Sequence, residues 1–314
     1  MNFLNKIKRS NIVKIIFFLL SIILIVHTSI FWDTNQDKKL SEKNIIFTQS
    51  IQIPDELEFA GEKVPVENFD VYESLDRELS INVYWQSQTI LLIKRANRFF
   101  PIIEPILKKH NIPDDFKYMS VAESGLMNAV SPSGAKGYWQ FLEGTGKEYG
   151  LEINDEVDER YNIEKSTESA CKFLNKSYKI YNNWTLAAAS FNFGRKNLNK
   201  QINRQKSDNY YNLLLGEETG RYVFRLIAIK MILSNPQKYG FNINKEELYP
   251  IIPTSKIKID SSITDFAKFA KEFSINYKIL KILNPWLREN YLTNKNKNTY
   301  EIVIPKKRYR TFEN

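Results

Sequence analysis

The stretch VAESGLMNAVSPSGAKGYWQF, residues 121–141, ends one predicted helix and opens the loop on which the fold assignment depends. It places a single carboxylate, Glu123, at the end of an apolar run and directly before serine and glycine residues. Phe116, Met119 and Glu123 share one helical face by their three-to-four spacing, so Glu123 is predicted to point towards the core. Gly125 is predicted to end that helix.

The surroundings predicted for Glu123 favour its protonated form. A carboxyl group among Phe and Met side chains loses hydration, which raises its pKa, and the negative end of the helix dipole acts in the same direction. A proton retained near neutral pH is what a general acid requires. The alternative, a buried glutamate neutralised by an arginine such as Arg160, remains open at this point.

The loop after Glu123 has the features of a sugar site. Gly134 and Gly137 allow the backbone to approach a ligand closely, because glycine has no side chain. Tyr138, Trp139 and Gln140 follow, and they offer flat and hydrogen-bonding surfaces.

Composition excludes several classes of enzyme. The chain has 314 residues with 20 Phe, 17 Tyr and 5 Trp, enough for one sizeable core and a small second domain. One cysteine and two histidines argue against disulfides, zinc chemistry and Ser-His-Asp catalysis, so we predict carboxylate catalysis with no metal or cofactor. The net charge of +9 is spread evenly, and no nucleic-acid partner is predicted.

The first 32 residues are predicted to be a membrane anchor. Four basic residues between Lys6 and Lys14 precede an apolar run over residues 15–32, which predicts a cytoplasmic N-terminus and an exported remainder, periplasmic in a cell envelope. A cleaved signal peptide is the alternative. Residues 33–75 are polar, contain Pro54 and Pro65, and are interpreted as a linker.

Residues 76–245 are predicted to form an all-helical domain. Helical periodicity begins near Ile81 and is predicted to break at Pro101, with a second helix over 102–107. Further helices are predicted over residues 163–181, 184–194 and 219–233. Residues 250–314 are different: strands over 257–260 and 300–305 enclose two short helices, a unit suited to binding.

Four motifs carry a family resemblance: ES at 123–124, SPSGAKGYWQF at 131–141, SFNFG at 190–194 and ETGRYV at 218–223. In this order they resemble Slt-type lytic transglycosylases, most of all the membrane-bound murein transglycosylase D group. The resemblance implies a mainly α, goose-lysozyme-like catalytic domain acting on peptidoglycan glycan strands. The C-terminal unit resembles one degenerate LysM module, a small α+β unit with ILNPW at 282–286.

The resemblance also implies residue roles. Glu123 would protonate the oxygen that links N-acetylmuramic acid to N-acetylglucosamine, then take the proton of the muramoyl 6-hydroxyl as a 1,6-anhydro ring closes. No second carboxylate in the matched motifs is assigned as a nucleophile, which two-carboxylate glycosidases need. The substrate-binding candidates are Ser131, Tyr138, Gln140, Phe191, Asn192 and Tyr222, the last as a hydrogen-bond partner of Glu123.

Several alternatives stay open. Asn192 could cap its own helix before Gly194, and Tyr222 could be a packing residue. Three departures from the family pattern affect the assignments: Phe191 replaces a common Tyr, Ser131 lies one residue closer to the glutamate than in many soluble members, and the order at Gly220 and Arg221 is reversed. The C-terminal unit is either a glycan binder or a structural cap. A peptidoglycan-binding scaffold without turnover and a lysozyme-like hydrolase are the rival functions.

Overall fold

The computed structural model describes Lys14, residues 16–28 and residues 50–306. The chain divides into two compact units, Met1–Ser50 and Ile51–Asn314. In the first unit, Lys14 and residues 16–28 are helical and exposed. Among the residues described, no helix combines the length and apolar character needed to cross a membrane. The predicted anchor over 1–32 lies in part outside the described residues and stays a prediction.

The second unit begins with a small hairpin and a helix. Strands β1 (Glu58–Phe59) and β2 (Glu62–Lys63) pair antiparallel and are followed by α1 (Phe69–Tyr84). The Phe59 ring is fully buried 5.7 Å from the ring of Phe116. The prediction of a linker is therefore wrong for residues 50–75, because five of their apolar side chains are buried although they are irregularly spaced in sequence: Phe59, Val64, Val66, Val71 and Leu75.

Helix α2 (Gln86–Lys109) runs through Pro101 and Pro105 without a break, so the two helices predicted on either side of Pro101 are one. Each proline removes a backbone hydrogen bond, at a cost of about 3 kcal/mol in a helix interior. The apolar face continues across both prolines from Leu92 to Leu107, and burying each such side chain contributes about 1.5–3 kcal/mol. This burial outweighs the lost bonds.

Six further α-helices precede the C-terminal part in the described residues. They are α3 (Lys117–Ser124), α4 (Glu143–Glu148), α5 (Ile163–Tyr181), α6 (Trp184–Phe193), α7 (Arg195–Gln205) and α8 (Glu217–Ser234). Helix α8 buries ten side chains and packs against α1, α3 and α6. Asn162 caps α5 by accepting the backbone N–H groups of Glu164 and Lys165, and Gly125 ends α3 in the left-handed region.

The C-terminal part contains β3 (Thr254–Ile259), α9 (Phe266–Glu272), α10 (Tyr277–Leu283) and β4 (Tyr300–Pro305). The two strands pair antiparallel from Thr254 opposite Pro305 to Ile259 opposite Tyr300. The buried Asn284 side chain ties the end of α10 to β4 through two 2.7 Å bonds with the Val303 backbone. A mainly helical chain with a small sheet near the C-terminus confirms the predicted fold class.

Candidate active site

Glu123 lies in the last turn of α3, where the helix ends at Gly125 with φ of +60°. The Tyr222 hydroxyl, on α8, donates a 2.5 Å hydrogen bond to Oε1 of Glu123. Tyr222 is 2% exposed, so the residue packs in the core and also binds the carboxyl group. The two alternatives considered for Tyr222 are therefore both true of this side chain.

The pKa of Glu123 is raised from 4.5 to about 7. The largest cause is loss of hydration, which destabilises the carboxylate form. The Tyr222 hydrogen bond and the positive charge of Arg225 lower the pKa, while the negative charge of Glu218 raises it. A carboxyl group poised at this pH can both donate and accept a proton under ordinary conditions.

Replacing Tyr222 with phenylalanine is expected to raise the pKa of Glu123 further. The hydroxyl bonds to the charged form, so its loss leaves the carboxylate less stable. The high-pH limb of the pH–rate profile should move to higher pH, and the maximal rate should fall about tenfold, close to the lower end of the range for a hydrogen bond to a charged group.

Tyr210→Phe is the matched control for this prediction. Tyr210 is also buried, but its hydroxyl donates to the backbone oxygens of Thr219 and Gly220 at 2.8 and 2.9 Å. The Tyr210→Phe substitution should reduce the stability of the protein without moving the pH–rate profile. An unmoved profile in Tyr222→Phe would contradict the role of this hydrogen bond.

A second carboxylate, Glu218, also acts on the site. Its side chain is exposed and accepts a 3.3 Å hydrogen bond from Asn192 Nδ2, while Thr219 Oγ1 donates to Asn192 Oδ1 at 2.9 Å. Asn192 thus binds α8 and does not cap its own helix, so the capping alternative is wrong. Sequence reasoning missed Glu218, although it lies four residues before Tyr222 and hence on the same face of a helix.

Arg221, whose role the sequence left open, pairs with a buried glutamate. Its Nε lies 2.6 Å from Oε1 of Glu78, which is 1% exposed, and Arg225 Nε lies 3.6 Å from Oε2 of the same residue. Glu78 on α1 therefore holds two arginines of α8. One of them, Arg225, is the cation whose charge acts on Glu123.

Residues 129–141, which we call the active-site loop, fold back on themselves. Lys136 bridges both Val130 and Phe141. The Ser131 hydroxyl accepts from Ala135 N–H at 3.0 Å and contacts Ser133 Oγ, and Gln140 Nε2 donates to the backbone oxygens of Ala129 and Gly137. The bonds that the structure gives Ser131 and Gln140 stay within the loop, and their sugar contacts stay predictions.

Aromatic packing fixes the loop to the helices behind it. The Phe191 ring, half-buried, lies 5.0 to 6.3 Å from the rings of Trp139, Phe141 and Phe173. Each such pair contributes about 0.5–1.5 kcal/mol beyond its buried area. Trp139 Nε1 also donates to Thr167 Oγ1 on α5 at 2.9 Å. The predicted sugar contact of Phe191 thus belongs to a ring that also anchors the loop.

Tyr138 lines a cavity that does not include Glu123. Its ring is 5.3 Å from that of Phe99, and both line a cavity of about 800 Å³ at the junction with the C-terminal part. Trp286 and Tyr300 also line this cavity, and Glu123 does not. Burial raises the pKa of Tyr138 to about 12. The Tyr138 side chain therefore lines a cavity that Glu123 does not line.

Other candidate groups are placed elsewhere. Arg160 does not neutralise Glu123, because its guanidinium forms a forked pair with Asp158 at 2.8 and 2.7 Å. Cys171 is fully buried, which raises the pKa of its thiol to about 12. Within the described part of the chain, no cluster of three or more His, Cys, Asp or Glu side chains is arranged to hold a metal ion.

Comparison with known proteins finds two family models and two curated relatives that match this chain. Residues 100–214 match the family model of the transglycosylase SLT domain, and residues 255–308 match that of the soluble lytic transglycosylase C-terminal LysM-like domain. Two curated relatives, both named membrane-bound lytic murein transglycosylase D, come from Escherichia coli strain K12 and from Escherichia coli O6:H1 strain CFT073.

Each relative is 27% identical to this chain over 243 residues, a region that covers 74% of this chain and 52% of the relative. The chain therefore spans about half the length of the curated relatives it matches. The resemblance predicted from the four motifs and the C-terminal unit is confirmed.

Proposed function

We propose that this chain is a lytic transglycosylase acting on peptidoglycan, because it matches the family models of the transglycosylase SLT domain and of the soluble lytic transglycosylase C-terminal LysM-like domain. Its reaction would cleave the β-1,4 bond between N-acetylmuramic acid and N-acetylglucosamine, in cell-wall turnover and remodelling. The observation that carries the proposal is one carboxyl group, Glu123, with a pKa of about 7 and a tyrosine hydroxyl bound to it.

Glu123 would perform both proton transfers. Protonated, it donates its proton to the glycosidic oxygen, and the bond from that oxygen to the muramoyl C1 breaks. The muramoyl 6-hydroxyl then bonds to C1, and its proton passes to the Glu123 carboxylate. The enzyme returns to its starting state, and no water is consumed. An intramolecular hydroxyl also has the proximity advantage that reacting groups in one molecule possess.

The other candidate residues would bind and orient the sugars. Asn192, held between Glu218 and Thr219, would bind an N-acetyl or hydroxyl group. The active-site loop would supply Ser131 and Gln140. The division into a catalytic domain over 76–245 and a C-terminal unit over 250–314 is part of the same proposal, with the hairpin and α1 added to the catalytic domain.

Mass spectrometry of the products tests this function against its rivals. Purified peptidoglycan incubated with the full-length protein should give muropeptides one water lighter than hydrolysis products, without a reducing end. Products with a reducing end would identify a hydrolase. No released product, together with sedimentation of the protein with peptidoglycan, would identify a scaffold that binds without turnover.

We also propose a location in the cell envelope, with the N-terminal apolar run as an anchor and the catalytic domain in the periplasm. The basic residues before this run and the membrane-bound relatives support it. The full-length protein should fractionate with membranes, and a mature chain that begins after residue 32 in the soluble fraction would overturn the anchor.

A further inference from the structure

Residues 152–161, which we call the bridging segment, complete the core of the C-terminal part. Val157 and Tyr161 are 1% and 4% exposed and belong to the same apolar cluster as Phe266, Leu280 and Leu287. These two side chains come from the catalytic domain of the sequence, yet the C-terminal helices cover them. The cluster is therefore built from both parts of the chain.

The backbone of the bridging segment is also paired with the C-terminal part. Val157 forms an antiparallel bridge with Leu287. Asp158 N–H donates to the Trp286 oxygen, and Arg288 N–H donates to the Glu156 oxygen, both at 2.8 Å. Backbone hydrogen bonds of this kind fix one register between two segments, because a slip would leave donors and acceptors unpaired.

Two carboxylates of the bridging segment bind the C-terminal part: Glu152 accepts the Tyr300 hydroxyl at 3.0 Å, and Glu156 binds Thr293. Glu156, half-buried, accepts the Thr293 backbone N–H at 2.6 Å through Oε2 and the Thr293 hydroxyl through Oε1. A carboxylate that accepts two hydrogen bonds forms a charge-assisted pair, which is stronger than a neutral one. Glu156 is thus the side chain through which the bridging segment holds the loop that precedes β4.

The opposite end of the bridging segment holds the active-site loop. Arg160 Nη1 donates to the backbone oxygens of Phe141 and Gly134 at 3.4 and 3.5 Å, while its other two guanidinium nitrogens are fixed by Asp158. Gly137 lies so close to this segment that a Cβ there would be 1.8 Å from the Arg160 oxygen. The loop is thus pressed against Arg160.

The active-site loop in turn contacts the helix that carries the candidate acid. Ser124, the residue after Glu123, donates from Oγ to the Tyr138 oxygen at 2.9 Å, and this bond is buried. Hydrogen bonds therefore connect Thr293 to Glu156 at one end of the bridging segment, and Arg160 at its other end to the active-site loop and, through that loop, to the residue next to Glu123.

We propose that the C-terminal part positions the active-site loop for catalysis, with Glu156 and Arg160 as positioning residues. This inference rests on the proposed function. It favours a structural cap over a free glycan binder, because Trp286, Leu287 and Thr293 are engaged by the bridging segment. A displacement of about 1 Å in a catalytic site can lower a rate about a hundredfold, so a loosened loop has a measurable effect.

The test compares three single substitutions in the full-length chain. Glu156→Ala removes both bonds to Thr293, and we expect kcat to fall between about tenfold and a hundredfold with KM changed less than about twofold. Glu156→Gln keeps an acceptor for the Thr293 N–H and should restore most of kcat. Glu301→Ala is the control. Glu301 is an exposed carboxylate of the C-terminal part, and in the ion pairs described it pairs only with Lys256, at 3.1 Å, outside the bridging segment.

Hydrogen exchange provides a readout independent of activity. The amides of Lys136 and Gly137 bond to the oxygens of Phe141 and Ala129 within the active-site loop. In Glu156→Ala these amides should exchange at least about tenfold faster, while amides in the middle of α8 stay as protected as in the wild type. Faster exchange in α8 as well would indicate general destabilisation and overturn the positioning role, as would unchanged exchange in the loop.

The Thr293→Val substitution removes the hydroxyl that donates to Glu156. It keeps the test valid if the Glu156→Ala protein does not fold. It should produce a smaller effect in the same amides, and in the double variant the two effects should not add. Additive effects would overturn the coupling. A wild-type protein without lytic transglycosylase products would contradict the proposed function alone, because the exchange experiment still measures the coupling.

Discussion

Glu123→Gln should abolish nearly all turnover of peptidoglycan while the fold persists. General acid–base catalysis contributes a factor of about a hundred to ten thousand, and here one group serves both proton transfers, so we expect a loss of about ten thousand or more. Glutamine keeps the size of the side chain and can still accept the Tyr222 hydrogen bond. The measurement is the rate of muropeptide release at pH values below and above 7.

The matched control is Glu217→Gln. Glu217 is an exposed carboxylate at the start of α8 that pairs with Arg77 and Arg221 on the surface. Its neutralisation should leave turnover close to that of the wild type. Substantial activity in a well-folded Glu123→Gln protein would remove Glu123 from the mechanism.

Glu123→Gln should lower activity but raise the stability of the folded protein. A group whose pKa is raised in the folded state destabilises that state as the pH rises from its unfolded value, 4.5, towards its folded value, about 7. At about 1.4 kcal/mol per unit, ionised Glu123 reduces the free energy of unfolding by up to about 3 kcal/mol above pH 7. Glu123→Gln should therefore be more stable than the wild type at pH 8 and show little of this gain at pH 4.

Gly137→Ala should unfold the active-site loop or the whole catalytic domain. The new Cβ would lie 1.8 Å from the Arg160 oxygen and 2.5 Å from its carbonyl carbon, at a position with φ of +80°. Both neighbours are backbone atoms, so no side-chain rotation relieves the contact. We expect the free energy of unfolding to fall by more than about 4 kcal/mol, a value reached only by severe core or backbone changes.

Gly134→Ala distinguishes the backbone strain of a positive φ from a steric clash of the added Cβ. Gly134 has nearly the same φ, +82°, but an added Cβ would meet no atom within 4 Å. It should lose only about 1–2 kcal/mol, the ordinary cost of a left-handed conformation for a residue with a side chain. Chemical denaturation of both variants measures the difference, and equal losses would show that the close approach of Gly137 to Arg160 has no energetic weight.

The sequence predicted the elements whose side chains repeat with a clear period. Helix α5 has the predicted bounds, residues 163–181, because its buried stripe is continuous and its N-cap is an asparagine. Both C-terminal strands were also predicted. The predicted break at Pro101 was wrong because burial of apolar side chains along the whole face of α2 outweighs the local helix-breaking effect of proline.

For the candidate site, sequence reasoning found groups that act locally and missed those that depend on folding. The raised pKa of Glu123 was predicted from the apolar residues that share its helical face, and burial is the largest cause of the shift. The partner of Arg160 could not be predicted from the sequence, because an arginine has several acidic residues within reach along the chain. Only the folded structure shows that it pairs with Asp158. The influence of Glu218 likewise required α8 to pack against α3.

The junction between Glu156 and Thr293 also constrains the order in which the protein can assemble. The two residues are 137 positions apart, and closing a flexible loop of that length costs about 4 kcal/mol of chain entropy beyond a constant. The helical contacts nearby in sequence form without this cost, so the bridging segment is expected to order late, as in other contacts of high sequence separation. During synthesis, Val157 and Tyr161 stay uncovered until residue 287 has left the ribosome, and a chain shortened before that point retains an exposed apolar surface open to proteases.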